Sequence, residues 1–428
     1  MNREDKIRRI IEIFKDGQKN KEDLCVGMEI EHFIVDKKDY SPISYYGKNG
    51  VGEILKKMSE RFPIIDIKEW EDNILGLSLK DYEISIEPGS QFEISLNKDK
   101  DICKLEDVYT KAIKDIKEIL DDFDYTLIAC GYRPNSTIDE IKMIPRTRYE
   151  RMRDFFSSEG LGHNMMLQTA STQISIDYVG EEDFKKKYLL ANALSPVFYA
   201  IFDSIYFFEK EEIKDKRNKR AEIWYNTSDD RTGVFKGFNK DFDFYKYAEK
   251  ILDTRQIFDI YTLKALKDET LDDILNRDLS DEEIDAYIKH GLTIVFPDVR
   301  LKNFIEIRMM DSLPLTYSFS ILALIKGVFY SNKIDDLYEE FIKIDDKTIR
   351  NGIKGIINNG LESYYWSDYI INWANKLVDI ANESLSIDER KYLKGIKDLL
   401  SNMDTPKDIF KRTYDEKGMM EAYKLFEV

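Results

Sequence analysis

The chain has few residues of the types on which thiol catalysis, histidine metal sites and disulfide frameworks depend. It contains three cysteines and three histidines among 428 residues. Cys25, Cys103 and Cys130 have no metal-ligand spacing, and no histidine pairs plausibly with any of their thiols. A sparse, odd set of cysteines argues against a disulfide framework and favours a reducing compartment, so we expect a cytoplasmic protein.

The chain also lacks a surplus of positive charge and a long hydrophobic run. Its 65 basic residues are outnumbered by 82 acidic ones, and the net charge of −17 argues against a nucleic-acid or anionic-membrane partner. The most apolar stretch, residues 189–208, contains Asn192, Pro196 and Asp203 and therefore indicates a buried helix. We expect small-molecule partners, which can still be anionic where metal ions or arginines line a cleft, and either a monomer or a homodimer.

Phosphate-binding glycine loops and serine-nucleophile elbows are missing as well. The chain does contain segments in which polar and apolar residues alternate. The first such segment discussed is residues 82–96, which predict two short strands broken at Pro88-Gly89. Alternate residues of a strand share a face. One face of this hairpin therefore carries oxygen-bearing side chains: Glu83, Ser85, Glu87, Gln91, Glu93 and Ser95.

The same pattern recurs in three other segments. Residues 27–35 place Glu29 and Glu31 on one face, and residues 304–308 place Glu306 beside Arg308. Residues 167–178 alternate in the same way, with a polar face made of Thr169, Ser171, Gln173, Ser175 and Asp177. An antiparallel sheet with one solvated face would also alternate. The recurrence favours a sheet that buries one face under helices and turns the other toward a metal-bound anion.

These residue types indicate phosphoryl transfer. Clustered carboxylates suit Mg²⁺, which binds one or two of them together with substrate phosphates. Arg231, Arg300 and Arg308 would neutralise the charge that develops during transfer. The combination points to a ligase or a kinase without a phosphate-binding loop. His32, beside Glu31, is a candidate metal neighbour, but a core histidine is the plainer interpretation.

Helical periodicity predicts the remaining architecture, and the chain as a whole indicates an α+β fold. Residues 102–123 predict a helix that covers the sheet, residues 181–209 are predicted to be helical, and residues 292–296 predict a strand. From Leu315 onward the pattern is helical throughout. Because no flexible linker interrupts the chain, we expect residues 1–330 to form the catalytic domain and residues 331–428 to form a helical subdomain packed on it.

At this point several segments, taken together and in order, resemble the glutamate–cysteine ligase family of the plant and proteobacterial type. The resemblance covers residues 20–330. The segments that carry it are Gly27-Met-Glu-Ile-Glu31, Ile86-Glu-Pro-Gly-Ser-Gln-Phe-Glu-Ile-Ser95, Arg148-Tyr-Glu-Arg-Met-Arg153, Met165-Met-Leu-Gln-Thr169, Thr172-Gln-Ile-Ser-Ile-Asp177, Ile223-Trp224, Asp230-Arg-Thr-Gly233, Phe296-Pro-Asp-Val-Arg-Leu301 and Glu306-Ile-Arg308.

The resemblance implies a glutamine-synthetase-like fold, in which a curved, mostly antiparallel sheet carries helices on its convex side. It also implies the reaction. ATP phosphorylates the γ-carboxylate of L-glutamate, and the amine of L-cysteine attacks the γ-glutamyl phosphate to give γ-glutamylcysteine, the first step of glutathione-type thiol synthesis. Two or three Mg²⁺ ions would accompany ATP.

The resemblance further implies roles for individual residues. Arg231 and Arg308 match catalytic phosphate clamps, and Glu83 has a purely structural alternative, which is to fix the hairpin. The implied metal ligands are Glu29, Glu31, Glu87, Glu93 and Glu306, with Gln173 beside the cofactor. The implied substrate and nucleotide contacts are Arg148, Tyr149, Met152, Trp224, Arg300, Thr227 and Thr232.

Two departures from the family pattern bear on the acceptor amine. Met309-Met310 replace a Gly-Ala pair, and Ser175 stands where asparagine is usual. A γ-glutamyl ligase with a different amine acceptor is therefore the alternative hypothesis. A third hypothesis, from another class, is a protein that binds glutamate or nucleotide without turning it over.

Overall fold

A nine-stranded sheet forms the centre of the protein in the computed structural model, which describes residues 1–214 and 216–428. Its strands are β1 Val26–Asp36, β2 Asp66–Trp70, β3 Asn73–Ser78, β4 Tyr82–Ile86, β5 Phe92–Asp99, β6 Tyr125–Ile128, β7 Thr172–Ile176, β12 Val299–Leu301 and β13 Ile305–Ile307. Shorter pairs lie outside this sheet: β8 Phe207–Phe208, β9 Glu211–Glu212, β10 Thr232–Gly233, β11 Phe296–Pro297, β14 Tyr364–Tyr365 and β15 Asp368–Tyr369.

The strand order is β12-β13-β7-β1-β5-β4-β3-β2, with β6 paired to the far half of β1. Every pairing in this sheet is antiparallel. The long strand β1 thus has β5 on one side and β7 on the other. The α+β class and the mostly antiparallel sheet are confirmed.

Helices surround the sheet. Their bounds are α1 Arg3–Asp16, α2 Val51–Arg61, α3 Ile102–Leu120, α4 Thr147–Phe156, α5 Gly162–Gln168, α6 Glu181–Ala193, α7 Ser195–Ile201, α8 Lys219–Tyr225, α9 Phe244–Leu252, α10 Leu271–Ile274, α11 Asp281–Thr293, α12 Leu315–Phe329, α13 Ile334–Phe341, α14 Asp346–Asn359, α15 Ile370–Ser384, α16 Lys394–Ser401, α17 Pro406–Lys417 and α18 Met419–Lys424. In the described part of the chain, no helix has the length and apolar character needed to cross a bilayer.

One face of the sheet is apolar and covered by helices, chiefly α3 and α12. Ile30, Ile84 and Ile94 on this face are fully buried. His32 belongs to the same face, where its ring contacts the hydroxyl of Tyr109 at 2.8 Å. Burial lowers the pKa of His32 to about 4, so the side chain is neutral at pH 7. His32 is therefore a core residue, in agreement with the plainer interpretation.

The structure corrects several strand predictions. Residues 292–296 are not a strand, because helix α11 continues to Thr293. Residues 167–171 precede strand β7, and the first two of them end helix α5. Strands β2 and β3 had not been predicted, since the exposed β2 lacks clear alternation. The helical character of residues 331–428 is confirmed apart from the β14–β15 hairpin, whereas the domain boundary at residue 330 stays a prediction.

Candidate active site

A cleft of about 440 Å³ lies over the polar face of the sheet. Strands β1, β4, β5, β7 and β13 supply its floor, and helices α4, α5 and α8 supply its roof. The predicted site residues that line it are Glu29, Glu31, Glu87, Glu93, Arg148, Tyr149, Met152, Gln173, Trp224, Arg300 and Arg308. The structure therefore brings side chains from distant segments of the chain into one cavity.

Strand register explains why the carboxylates of the floor meet. Glu31 of β1 lies opposite Glu93 of β5, and Glu93 lies opposite Ser85 of β4. One step along β1, Glu29 lies between Ser95 and Gln173 on its two neighbours. Directly opposed residues of antiparallel strands have Cβ atoms about 4.5–5.5 Å apart. The acidic side chains thus form two adjacent rows across the sheet.

The floor carboxylates repel one another, and because they are buried, water screens this repulsion poorly. Burial, and then the neighbouring Glu93 carboxylate, raise the pKa of both Glu29 and Glu31. Burial and Glu87 raise the pKa of Glu93, although hydrogen bonds from Ser85 and Ser95 act in the opposite direction. A cation among them would relieve this repulsion, and hard cations prefer carboxylate oxygens.

The donor set fits a cation that takes only part of its shell from the protein. Within residues 1–214 and 216–428, no group of three or more acidic, histidine or cysteine side chains is arranged to hold a metal ion. Mg²⁺ commonly uses one or two carboxylates and completes its shell with phosphate oxygens and water. The floor matches that mode rather than a closed protein cage.

One wall of the cleft is cationic and is organised by Glu306. Arg300 donates to both carboxylate oxygens, at 2.7 and 3.1 Å. Lys302 lies 3.0 Å from one oxygen, and Arg308 lies 2.6 Å from the other. Three cations against one carboxylate leave two positive charges in excess. Burial would raise the pKa of Glu306, but these cations hold it well below the ordinary value.

This arrangement changes the interpretation of Glu306. We predicted it as a metal ligand, but both of its oxygens accept hydrogen bonds from the cations of the wall. In the structure it therefore fixes three side chains around a site with excess positive charge. Such a site suits an anion, and guanidinium groups are well shaped for phosphate.

The roof brings further cations over the opposite end of the floor. Arg148 of α4 donates to the Thr293 hydroxyl at 3.1 Å. Burial raises the pKa of Glu87, and the charges of Arg148 and Arg146 act against this. Arg146, which the sequence analysis left unassigned, lines the cleft beside Tyr149. This end can hold a carboxylate-bearing substrate.

Trp224 occupies the roof between two arginines. The Arg220 guanidinium lies 5.0 Å and the Arg308 guanidinium 5.8 Å from its ring, distances typical of cation–π contacts. Its indole nitrogen is buried and makes no hydrogen bond to any described residue. A donor without a partner beside a cleft is available to a ligand, which agrees with the predicted role in substrate binding.

Four predicted site residues do not line the cleft: Glu306, which is fully buried among the cations of the wall, and Arg231, Thr227 and Thr232. Arg231 is fully buried and donates to the carbonyl oxygens of Ile294, at 3.0 Å, and Arg255. It therefore ties two loops together and does not line the cleft, so its role as a phosphate clamp stays a prediction that these contacts do not support. The Thr227 and Thr232 hydroxyls each donate to a carbonyl four residues earlier, at 2.8 and 2.9 Å. Both hydroxyls serve the local backbone.

A family model described as glutamate-cysteine ligase family 2 (GCS2) matches residues 25–422. The chain belongs to this family. The chloroplastic glutamate–cysteine ligase of Nicotiana tabacum is 27% identical over 373 residues, which cover 83% of this chain and 70% of the relative. The corresponding protein of Arabidopsis thaliana is 27% identical over 383 residues, covering 84% and 72%.

A solved structure shares the fold. The glutamate–cysteine ligase of Francisella tularensis, solved in complex with AMP, superposes with a TM-score of 0.56 at 9% sequence identity. The superposition covers 94% of this chain and 87% of the other. At this identity the likeness concerns the fold alone, and it agrees with the predicted large antiparallel sheet with helices.

The departures from the family pattern lie outside the cleft. Met309 and Met310 are completely buried, and neither lines the cavity. Ser175 lies one row beyond Gln173, in a smaller neighbouring cavity.

Glu83 lies at the edge of the cleft, where it pairs with Lys68 at 2.5 Å and accepts from Ser78 at 3.3 Å. This pairing favours the structural alternative for Glu83.

Lys302 is the cleft residue that sequence reasoning missed most clearly. It directly follows the quoted segment and strand β12, which both end at Leu301, and a single residue separates it from Arg300. That spacing puts both side chains on one face. The signal was therefore present in the spacing of Arg300 and Lys302.

Proposed function

We propose that this protein uses ATP to join the γ-carboxylate of L-glutamate to the amine of L-cysteine through a γ-glutamyl phosphate. The observation that carries the proposal is the family match over residues 25–422. The cleft supports it, because one cavity combines an acidic floor, a cationic wall and a basic roof. Phosphoryl transfer to a carboxylate needs all three, since it brings two anions together.

In this proposal the chain's own groups divide the work. Arg300, Lys302 and Arg308 bind the polyphosphate, and the floor carboxylates Glu29, Glu31, Glu87 and Glu93 face it. Bound Mg²⁺, in two or three ions, would supply charge neutralisation between the floor and the phosphates. Arg146 and Arg148 of the roof orient the amino-acid substrate by its carboxylate.

The two steps balance as follows. A γ-carboxylate oxygen of glutamate attacks the terminal phosphorus of ATP, and the bond to the bridging oxygen breaks to release ADP. The amine nitrogen then attacks the acyl carbon, phosphate leaves with the bonding electrons, and the nitrogen loses a proton. Arg308 belongs to the cationic wall that would stabilise the charge on the transferred phosphate.

An acceptor panel tests the proposal. Purified protein is incubated with ATP, Mg²⁺, glutamate and one amine at a time, and both ADP release and product mass are measured. We expect cysteine to give the highest kcat/KM. The panel includes 2-aminobutyrate, which has the shape of cysteine without the thiol, together with serine, glycine and ammonia. Reactions without glutamate serve as the control for uncoupled hydrolysis.

The panel also separates the two remaining hypotheses. If the protein is a γ-glutamyl ligase with another acceptor, one of the other amines will give a higher kcat/KM than cysteine. A binding protein without turnover would release no ADP with any amine while still binding nucleotide. The structure offers the alternative acceptor no support from Met309-Met310, because those side chains belong to the core.

A further inference from the structure

The sheet has an open edge at strand β2. This strand stands last in the strand order and pairs with β3. Its residues are exposed, apart from the half-buried Trp70. Two isoleucines are among the exposed side chains here: Ile67 within the strand is 40% exposed, and Ile65 directly before it is 70% exposed. Exposed apolar residues on an edge strand favour pairing with a strand of another chain.

The apolar face of the sheet is incomplete at this edge. Ile94 of β5 lies opposite Ile84 of β4, and Ile84 lies opposite Leu77 of β3. All three are fully buried. The next residue of this row is Ile67 of β2, which lies opposite Leu77 and remains partly exposed. Covering Ile67 would therefore extend the hydrophobic core and would be favourable.

The backbone of β2 directs hydrogen-bonding groups away from the sheet. Ile65 donates its N–H to the carbonyl of Ser78 on β3 at 2.8 Å. Because backbone groups of successive strand residues point to alternate sides, those of Ile67 also face β3, whereas those of Asp66 and Lys68 face outward. The one irregularity in this pairing is an extra residue in β3, Leu75. Strand β2 itself is regular and can accept a further strand.

The sequence of β2 is complementary to itself when two copies run antiparallel. If Ile67 lies opposite Ile67 of a second copy, Asp66 lies opposite Lys68 of that copy, and Lys68 opposite its Asp66. Opposite charges directly across two strands are stabilising. The neighbouring registers that also use the outward-facing backbone groups place Asp66 opposite Asp66, or Lys68 opposite Lys68. Like charges then meet, so charge favours the register centred on Ile67.

This register also matches the two faces of the sheet. Ile67 would meet its own copy on the apolar face, as a pair without backbone hydrogen bonds, in which side chains approach most closely. Lys68 lies on the polar face, where it pairs with Glu83 at 2.5 Å and lines the cleft. Asp66 of the second copy would join that ion pair at the edge of the cleft.

We propose that two copies of this chain associate through strand β2, antiparallel and centred on Ile67, so that their sheets become one continuous sheet. A two-fold axis at Ile67 then relates the copies, and each presents the same surface to the other. Of the monomer and the homodimer that the sequence left open, this selects the homodimer. The inference concerns the sheet edge and does not depend on the proposed reaction.

Sedimentation equilibrium of the purified full chain tests the dimer. Because a small interface gives a weak and reversible complex, the protein is measured from about 1 to 100 µM. The salt concentration is about 0.15 M, where charges more than roughly 8 Å apart are screened. We expect the average mass to rise with concentration from that of the monomer toward twice that mass. A wild-type protein that remains monomeric over the whole range overturns the proposal.

Two variants of Ile67 test the position of the two-fold axis. Ile67→Lys and Ile67→Glu each place like charges opposite one another, so each should weaken self-association about tenfold or more. An equal mixture of the two variants places lysine opposite glutamate and should restore association. Ile387→Lys is the matched control, because Ile387 is 82% exposed and lies outside the sheet. It should associate like the wild type.

The other outcomes separate the register from the surface. A dimer that both Ile67 variants leave intact lies on a different surface and overturns the proposal. Variants that are monomeric alone and remain monomeric when mixed refute the register centred on Ile67. Circular dichroism confirms that each variant is folded. Should the Ile67 variants fail to fold, Asp66→Lys places a lysine opposite Lys68 and should likewise abolish the dimer, whereas an unchanged dimer would refute the pairing.

Discussion

At the scale of single residues, the floor of the cleft gives up stability for function. Glu93 is held among other carboxylates, and burial with the Glu87 charge raises its pKa. We predict that Glu93→Gln lowers turnover by about 10²–10³-fold, as removal of one preorganised electrostatic group does elsewhere. Because the amide carries no charge, repulsion falls and the melting temperature should stay equal or rise. Steady-state kinetics and calorimetric melting measure the two effects.

Glu83 supplies the matched control for this prediction. It lies on the same face of the same hairpin, but its carboxylate is about half exposed and paired with Lys68. Glu83→Gln should therefore retain most of the activity. Equal losses in the two variants would show that the acidic face as a whole, rather than Glu93, matters for turnover.

Glu306 presents the opposite case, a carboxylate that cations surround. Removing one partner of a buried ion pair typically costs about 3–5 kcal/mol, because the remaining charges are left uncompensated. We predict a loss of this size in the free energy of unfolding for Glu306→Gln, measured by urea denaturation. Tripolyphosphate should restore part of the loss, since it offers the three cations a new partner. An unchanged urea midpoint would show that the cations do not depend on Glu306.

At the scale of elements, the connection between β4 and β5 positions much of the site. Gly89 lies at this turn, and a Cβ atom there would come within 2.1 Å of the Leu167 carbonyl oxygen. The buried guanidinium of Arg133 donates to the Gly89 carbonyl and lies 3.5 Å from the Leu167 carbonyl oxygen. The turn is thus fixed against helix α5, and Glu87 is held directly before it.

We predict that Gly89→Ala destabilises the protein by about 1–3 kcal/mol, as overpacking typically does, and lowers kcat because Glu87 moves. Gly355→Ala in helix α14 is the control, because the nearest atom to its added Cβ is 3.7 Å away. There alanine should be neutral or stabilising, since it favours the helix over glycine. Similar melting temperatures for the two variants would contradict the proposed fixing of the turn.

The elements that could be predicted from sequence are those whose two faces differ chemically. Strands β4 and β5 and the first half of β1 alternate between oxygen-bearing and apolar side chains, and the structure has these strands where expected. Strand β2 could not be recognised, because four of its five residues are exposed and neither face is distinct. Alternation of polar and apolar residues indicates a strand with one buried face. An edge strand that buries neither face has no such alternation.

The site was predictable to the extent that strand alternation defines it. The four floor carboxylates and Arg308 follow from alternation and share the cleft. Arg231 shows the limit of this reasoning. Its charge and its match to a family segment suggested a phosphate contact, but two backbone carbonyls from distant segments accept hydrogen bonds from its guanidinium. Such contacts depend on tertiary packing, which no local pattern records.

At the scale of the whole molecule, the C-terminal region from Leu315 to Val428 supports the sheet. Helix α12 packs on the sheet and on α15, and its Ile321, Leu322 and Ile325 are fully buried. At the far end, Val428 donates its backbone N–H to Leu127 of β6 at 3.2 Å. Contacts from both ends of this region thus hold elements of the catalytic sheet.

We therefore predict that a chain shortened to residues 1–330 does not fold into a stable protein. The apolar side of α12 would lose its cover, and exposed apolar patches of that kind lead to aggregation. Co-expression of residues 331–428 as a separate chain should restore part of the soluble material. A monomeric, cooperatively melting 1–330 fragment would contradict the prediction and would support an independent domain boundary there.

The contacts of Glu306 with three cations also determine how ordered the cleft is before a ligand binds. Its carboxylate serves as an internal counter-ion that keeps Arg300, Lys302 and Arg308 preorganised before any nucleotide arrives. A ligand then spends little of its binding energy on ordering these side chains. Small anions such as chloride must compete with the Glu306 carboxylate for these cations. Added salt should therefore weaken nucleotide binding less than expected for a wall of three free cations.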